Sequence, residues 1–107
     1  MVTILMYRLK YDAQFSKDYQ LFKRQYPELV SELEVALDEL ASFGSVPNTY
    51  KPHILVNEGG NYNGHFDFHL AEGKVDVLVL YLPHKSNLTI RLVRIGPHDE
   101  LFQGSLK

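Results

Sequence analysis

The closing stretch Arg91-Leu-Val-Arg94-Ile-Gly-Pro-His98-Asp-Glu-Leu-Phe102 carries the residue types best suited to chemistry. An apolar strand ends in an arginine, turns at Gly96-Pro97 and presents a histidine, with an aromatic four residues further on. That spacing sets a fixed cation near a group that titrates around neutrality. Breaking a phosphodiester without a metal requires both kinds of group. One neutralises the developing phosphorane and the other moves protons. The structural alternative is a strand, a turn and a short amphipathic helix capped by His98.

A second concentration lies in His65-Phe-Asp67-Phe-His69-Leu, which alternates with the period of a strand. Phe66, Phe68 and Leu70 go to one face, and His65, Asp67 and His69 share the other. The aromatic face belongs against helices. The polar face admits three readings: a plain solvated surface, a His-x-Asp-x-His metal site, or an acid/base cluster in which a carboxylate tunes a histidine. Asp76 stands among Val75, Val77, Leu78 and Val79, where a carboxylate destabilises a strand unless it lies at the end or finds a partner. Strict alternation also puts Arg94 on the face of Leu88, Ile90 and Leu92, so a bulge or a place at the sheet's rim must relieve the conflict. His53 follows Tyr50-Lys51-Pro52 in a loop, and His84 reads as a surface residue of the Pro83-His-Lys turn.

The elements that would position these groups follow from periodicity. Val2 to Lys10 reads as a strand. Phe15, Tyr19, Phe22 and Tyr26 form one helical stripe. Pro27 opens a second helix that buries Leu29, Leu33, Ala36, Leu37 and Leu40 and stops at Phe43-Gly44. Glu28, Glu32, Glu34, Asp38 and Glu39 give that helix an acidic, solvated face. His53 to Val56 is a short extended piece before the turn-rich Glu58 to Gly64 connector. Strands then run from about His65 to Ala71, Lys74 to Leu82 and Leu88 to Arg94, joined tightly enough to force antiparallel pairing. The expectation is an α+β domain, β-α-α-β-β-β, with two helices on one face of a small antiparallel sheet and a terminal turn or short helix.

Composition narrows the classes. A chain of 107 residues, 45% hydrophobic and 22% charged, is expected to form one globular domain over 1–107. No apolar run approaches the roughly 20 residues of a membrane span. The absence of cysteine removes disulfides, zinc thiolates and thiol catalysis. The N-terminus lacks a basic region and a small-residue cleavage site, so a cytoplasmic location is expected. A net charge of −2 argues against a general nucleic-acid binder. Any RNA contact must rest on a local patch drawn from Lys10, Lys17, Lys23, Arg24, Lys51, Arg91 and Arg94.

Four pieces in order resemble the RelE-superfamily ribonuclease toxins of bacterial toxin–antitoxin modules, nearest their YafQ branch. They are Phe15-Ser-Lys-Asp18, Tyr50-Lys-Pro-His53, Phe66-Asp-Phe-His69 and Arg94-Ile-Gly-Pro-His98-Asp-Glu-Leu-Phe102. The resemblance runs over nearly the whole chain, and its last piece is the most specific. It implies a metal-independent endoribonuclease, without cofactor, that cuts messenger RNA in the ribosomal A site and is silenced by a bound antitoxin. DNA would be met only indirectly, through the toxin–antitoxin complex, and no membrane is involved. The attacking group is the ribose 2′-hydroxyl, so the substrate must be RNA.

Carried over by position, His53, His69, Asp76 and His98 match the branch's acid/base residues, and Arg94 matches its phosphate-stabilising arginine. Lys51, Asp67 and Phe102 fall to substrate binding. Asp67 matches a carboxylate beside the site with an orienting role. His98 is the leading proton donor or acceptor, with His53, His69 or Asp76 as its partner. Val77 stands where the YafQ pattern has a tryptophan, which removes base stacking there, and the Glu58 to Gly64 connector is longer than the pattern's. The rival reading is a catalytically degenerate binding module that keeps antitoxin contact. A metal-dependent hydrolase using His65, Asp67 and His69 is a more distant one.

Overall fold

The computed structural model describes residues 6–55, 64–84, 87–97 and 101, with the backbone alone at His53. The order is β1 (Arg8–Tyr11), α1 (Ala13–Gln25), α2 (Val30–Phe43), β2 (His53–Ile54), β3 (Phe66–His69), β4 (Leu78–Pro83) and β5 (Thr89–Gly96). The strands form one five-stranded sheet in the order β1-β5-β4-β3-β2. The α+β class and the order of elements agree with the sequence reading. The sheet, however, is mixed rather than antiparallel. Pairs β2/β3, β3/β4 and β4/β5 are antiparallel, the last two as their short connections demand, but β1 lies parallel to β5. Those two strands are joined through the rest of the chain, so no hairpin constrains their direction.

The helical stripes fold as their periodicity requires. Phe15 and Phe22 of α1 are buried, with Tyr19 and Tyr26 packed beside them. Removing each phenylalanine from water contributes about 2–3 kcal/mol. Pro27–Leu29 make a 3₁₀ turn that leads into α2. Leu33, Ala36 and Leu40 then meet Phe68, Val79, Tyr81, Ile90, Leu92 and Ile95 in the main core. Gly44 ends α2 in the left-handed region (φ 77°), and its N–H reaches the Leu40 carbonyl. Glu28, Glu34 and Asp38 are exposed as expected of a solvated face, but Glu32 turns inward to the end of β3.

Strand limits shift where side chains leave the sheet. β3 stops at His69, because Ala71, Glu72 and Gly73 all take positive φ (52°, 55° and 83°). β4 begins only at Leu78, which leaves Asp76 exposed in the connector rather than inside a strand. That resolves the conflict of a carboxylate among apolar neighbours.

The bulge demanded near Arg94 is present. Leu80 pairs with Arg94 and Tyr81 with Leu92, so Val93 is the extra residue. Leu92 packs on the helix side and Val93 on the far side, and Arg94 shares a row with Leu80 on that far face. β1 accompanies β5 only as far as Leu92. Beyond it the Asp18 carboxylate of α1 takes over the exposed edge and accepts the Ile95 N–H at 3.2 Å. At the other end of the contact, Asp12 accepts from the Arg91 guanidinium through both carboxylate oxygens, and its own N–H donates to the Leu92 carbonyl at 3.0 Å. Helix α1 and the residue that precedes it are thus clamped to β5 by two arginine–aspartate pairs.

Candidate functional site

The sheet face away from the helices is not the open, solvated surface that alternation alone suggests. Leu78, Leu80, Val93 and Leu101 are buried there, with Leu55 and Leu82 packed beside them. The Leu101 N–H donates to the Pro97 carbonyl at 3.1 Å, and the Leu101 side chain lies against this face. A second, smaller apolar layer therefore surrounds the polar residues of β3.

Register places the candidates in two adjacent rows. His53 stands opposite Asp67, Asp67 opposite Leu80, and Leu80 opposite Arg94. The next row holds His69, Leu78 and Gly96. With strands about 4.8 Å apart, the row from His53 to Arg94 spans about 14 Å. Asp76 lies in the connector immediately before Leu78, the register partner of His69. Lys51, exposed and left-handed at φ 51°, sets its ammonium over the turn after β3, 3.4 Å from where a Cβ on Gly73 would lie. All these residues gather at one end of the sheet. His98 and Phe102 lie outside the described residues, in segments that adjoin Pro97 and Leu101. His84 is exposed at the opposite end of β4.

Asp67 is the buried charged residue of the described chain, at 1% exposure. Its charge acts on Tyr81. Burial first, and the neighbouring carboxylate second, push the Tyr81 phenol up to about 12. His65 and His69 flank Asp67 at half-buried positions. Among the described residues, no three histidine, aspartate or glutamate side chains form a group able to hold a metal ion. The His65, Asp67 and His69 series therefore does not converge, because successive residues on one strand face are spread along its length.

Arg94 is held more firmly than its sequence position suggests. Its Nε and Nη2 donate to the two oxygens of Asp18 at 2.9 and 3.0 Å, and the side chains are only 16% and 10% exposed. Asp18 had no role in the sequence reading, although the Phe15-Ser-Lys-Asp18 piece contained it. The available signal was its position on α1: it follows Phe15 by three and precedes Phe22 by four, on the flank of the buried stripe. A carboxylate there requires a partner. Glu32 was also missed. Both its oxygens accept the Ala71 N–H, at 3.1 and 2.9 Å, and tie α2 to the turn beyond His69.

Solved structures share this architecture. A metal-bound toxin from Helicobacter pylori is 30% identical, with 91% of this chain and 100% of that one covered and a TM-score of 0.74. The Escherichia coli DinJ-YafQ complex gives 26% identity, 89% and 97% coverage, and a TM-score of 0.69. The solution structure of a conserved hypothetical protein from H. pylori gives 28% identity, 91% and 100% coverage, and a TM-score of 0.61. No curated protein sequence matches the chain. The model of the family described as the bacterial toxin of type II toxin–antitoxin system, YafQ, matches residues 7–103. With that match over nearly all its length, on a fold these structures share, the chain belongs to the YafQ family of type II toxin–antitoxin toxins.

Proposed function

We propose that this protein is a metal-independent endoribonuclease that cleaves messenger RNA in the ribosomal A site, in the cytoplasm, and is silenced by a cognate antitoxin. The observation that carries this reading is the pair of rows that brings His53, Asp67, Arg94 and His69 to the end of the sheet from which the chain runs on to His98. In the reaction, a base removes the proton of a ribose 2′-hydroxyl. The 2′-oxygen bonds to the adjacent phosphorus, and the P–O5′ bond breaks as an acid protonates the departing oxygen. A 2′,3′-cyclic phosphate and a 5′-hydroxyl result, and no metal or cofactor enters the balance.

His98 is the leading acid or base, paired with His53, His69 or Asp76. Arg94 stabilises the extra charge of the phosphorane, a contribution worth on the order of a hundredfold in rate. Lys51 and Phe102 contact the RNA, and Asp67 orients a neighbouring histidine from its buried place. The family supports the toxin and its antitoxin partner, as does the DinJ-YafQ complex of the E. coli relative.

The test is messenger RNA cleavage in a reconstituted translation reaction, with and without ribosomes, comparing wild type with His98→Ala and Arg94→Ala. Cuts that require ribosomes and His98 support the full reading. Cleavage of free RNA keeps the nuclease and removes the A site. A folded, antitoxin-free wild type that cuts nothing makes the degenerate binding module the better account, a reading that the net charge of −2 favours.

A further inference from the structure

Arg94 sits just past a bulge, on a strand whose edge partner has already ended. A long cationic side chain in such a place samples many rotamers unless something fixes it. Asp18 supplies that restraint through three hydrogen bonds, two from the guanidinium and one from the Ile95 backbone. The backbone bond matters because it fixes the carboxylate itself, so the acceptor is rigid before the arginine meets it. The carboxylate occupies the Nε–Nη2 side of the guanidinium fork. The fork is planar, so fixing that side also fixes the direction of its Nη1 end. Two largely buried side chains that are 76 positions apart in sequence are thereby locked in one geometry.

We infer that Asp18 is a positioning residue for the ribonuclease reaction, holding Arg94 so that its guanidinium meets the phosphate in the transition state without reorganisation. The inference rests on the ribonuclease reading above and adds to it a residue on α1, outside the sheet. Its energetic logic is that of preorganisation: a stabilising charge already aimed does not spend transition-state energy on being ordered. Asp18 also offsets part of the charge on Arg94. Ground-state attraction for RNA is therefore moderated, while the orientation needed later is retained.

The discriminating variants are Asp18→Asn and Asp18→Glu, measured in the full chain alongside Arg94→Ala and the Asp18→Asn/Arg94→Ala double. Asp18→Asn keeps an oxygen for the Ile95 N–H, but presents an NH₂ to one guanidinium N–H and breaks the paired geometry. Single-turnover cleavage by Asp18→Asn should slow by about ten- to a hundredfold, as expected for a displaced catalytic group. Its half-saturating RNA concentration should stay within about twofold of wild type or fall, because orientation rather than binding is lost. Asp18→Glu restores two charged oxygens and should recover part of the rate. The double variant should be no slower than Arg94→Ala, since Asp18 acts through that arginine.

A cleaving wild type matched in rate by folded Asp18→Asn overturns the inference alone. So does a double variant whose losses multiply, or a loss confined to melting temperature. A wild type that cleaves no RNA overturns the ribonuclease reading, and this inference with it.

Discussion

Glu32 on α2 accepts the Ala71 N–H with both carboxylate oxygens, at 3.1 and 2.9 Å, and so anchors the turn that ends β3. That turn stores strain. Ala71 and Glu72 sit at φ 52° and 55°, a region that costs a residue with a Cβ about 1 kcal/mol or more. The charge-assisted bond offsets part of this and keeps His69 at the sheet's end. Glu32→Ala should lower stability by about 1–2 kcal/mol, seen as an earlier denaturant midpoint with an unchanged slope. An unchanged midpoint would mean that the turn holds itself.

The converse substitution is Glu72→Gly. Its side chain meets Lys74 at 3.8 Å, both groups being well exposed, so little is lost with that pair. Glycine removes the Cβ clash of the left-handed region and offsets its own greater unfolded-state entropy. A gain of about 0.5 kcal/mol is expected, a shift of a few degrees in a chain of this size. Calorimetry showing a lower Tm would refute the strain assigned to Glu72.

Gly44 provides a sharper case of the same physics. A Cβ there would lie 2.6 Å from Tyr7 Cζ, at a backbone φ of 77°. Gly44→Ala must both strain the C-terminal cap of α2 and displace the Tyr7 ring from the core it borders. A loss of about 2 kcal/mol follows from the sum of these terms, read as a drop in Tm of several degrees. Tyr7→Ala in the same background should return part of the loss, because it removes the ring that the new methyl strikes.

Which features could be read from the chain alone depended on how far apart their determinants lie. The α1 stripe, the end of α2 at Gly44 and the bulge before Arg94 are local patterns, and each is present. The burial of Asp67 was not legible, because Leu101 and Leu55, which help cover its face, come from opposite sides of the sequence. The parallel β1/β5 pair and the Asp18–Arg94 bond join α1 and its preceding strand to the last strand, a closure that no local period reports. The candidate residues of β3 and β5 were therefore identifiable by type, but the residues that hold them still were not.

Alkaline pH should reveal Tyr81 by its late ionisation. Its phenol is raised from 10.0 to about 12, chiefly by burial. The folded state thus binds a proton more tightly than the unfolded state, and the associated stability is fully present below pH 10.0 and lost as pH rises through about 12. Melting temperature should fall over that window, and Tyr81→Phe should flatten part of the slope. A slope unaffected by the substitution would assign the alkaline loss to other groups, such as Tyr11 and Tyr50, whose phenols burial also raises.

The same phenol serves as a reporter for Asp67, whose charge is the second cause of the Tyr81 shift. Asp67→Asn keeps the shape of this fully buried side chain, removes its charge and exchanges one acceptor oxygen for an NH₂ donor. Tyrosinate absorbance should then show Tyr81 ionising at lower pH than in wild type, yet still above 10.0, because burial remains. Cleavage by the same variant should fall if the carboxylate orients a histidine, since an amide cannot stabilise an imidazolium as a carboxylate does. The two readouts separate the roles. An earlier Tyr81 titration with full cleavage would leave Asp67 a buried charge that shapes the field around β4 and takes no part in positioning the acid or base. Loss of cleavage together with the earlier titration, in a protein that melts as wild type does, would place the carboxylate in the site.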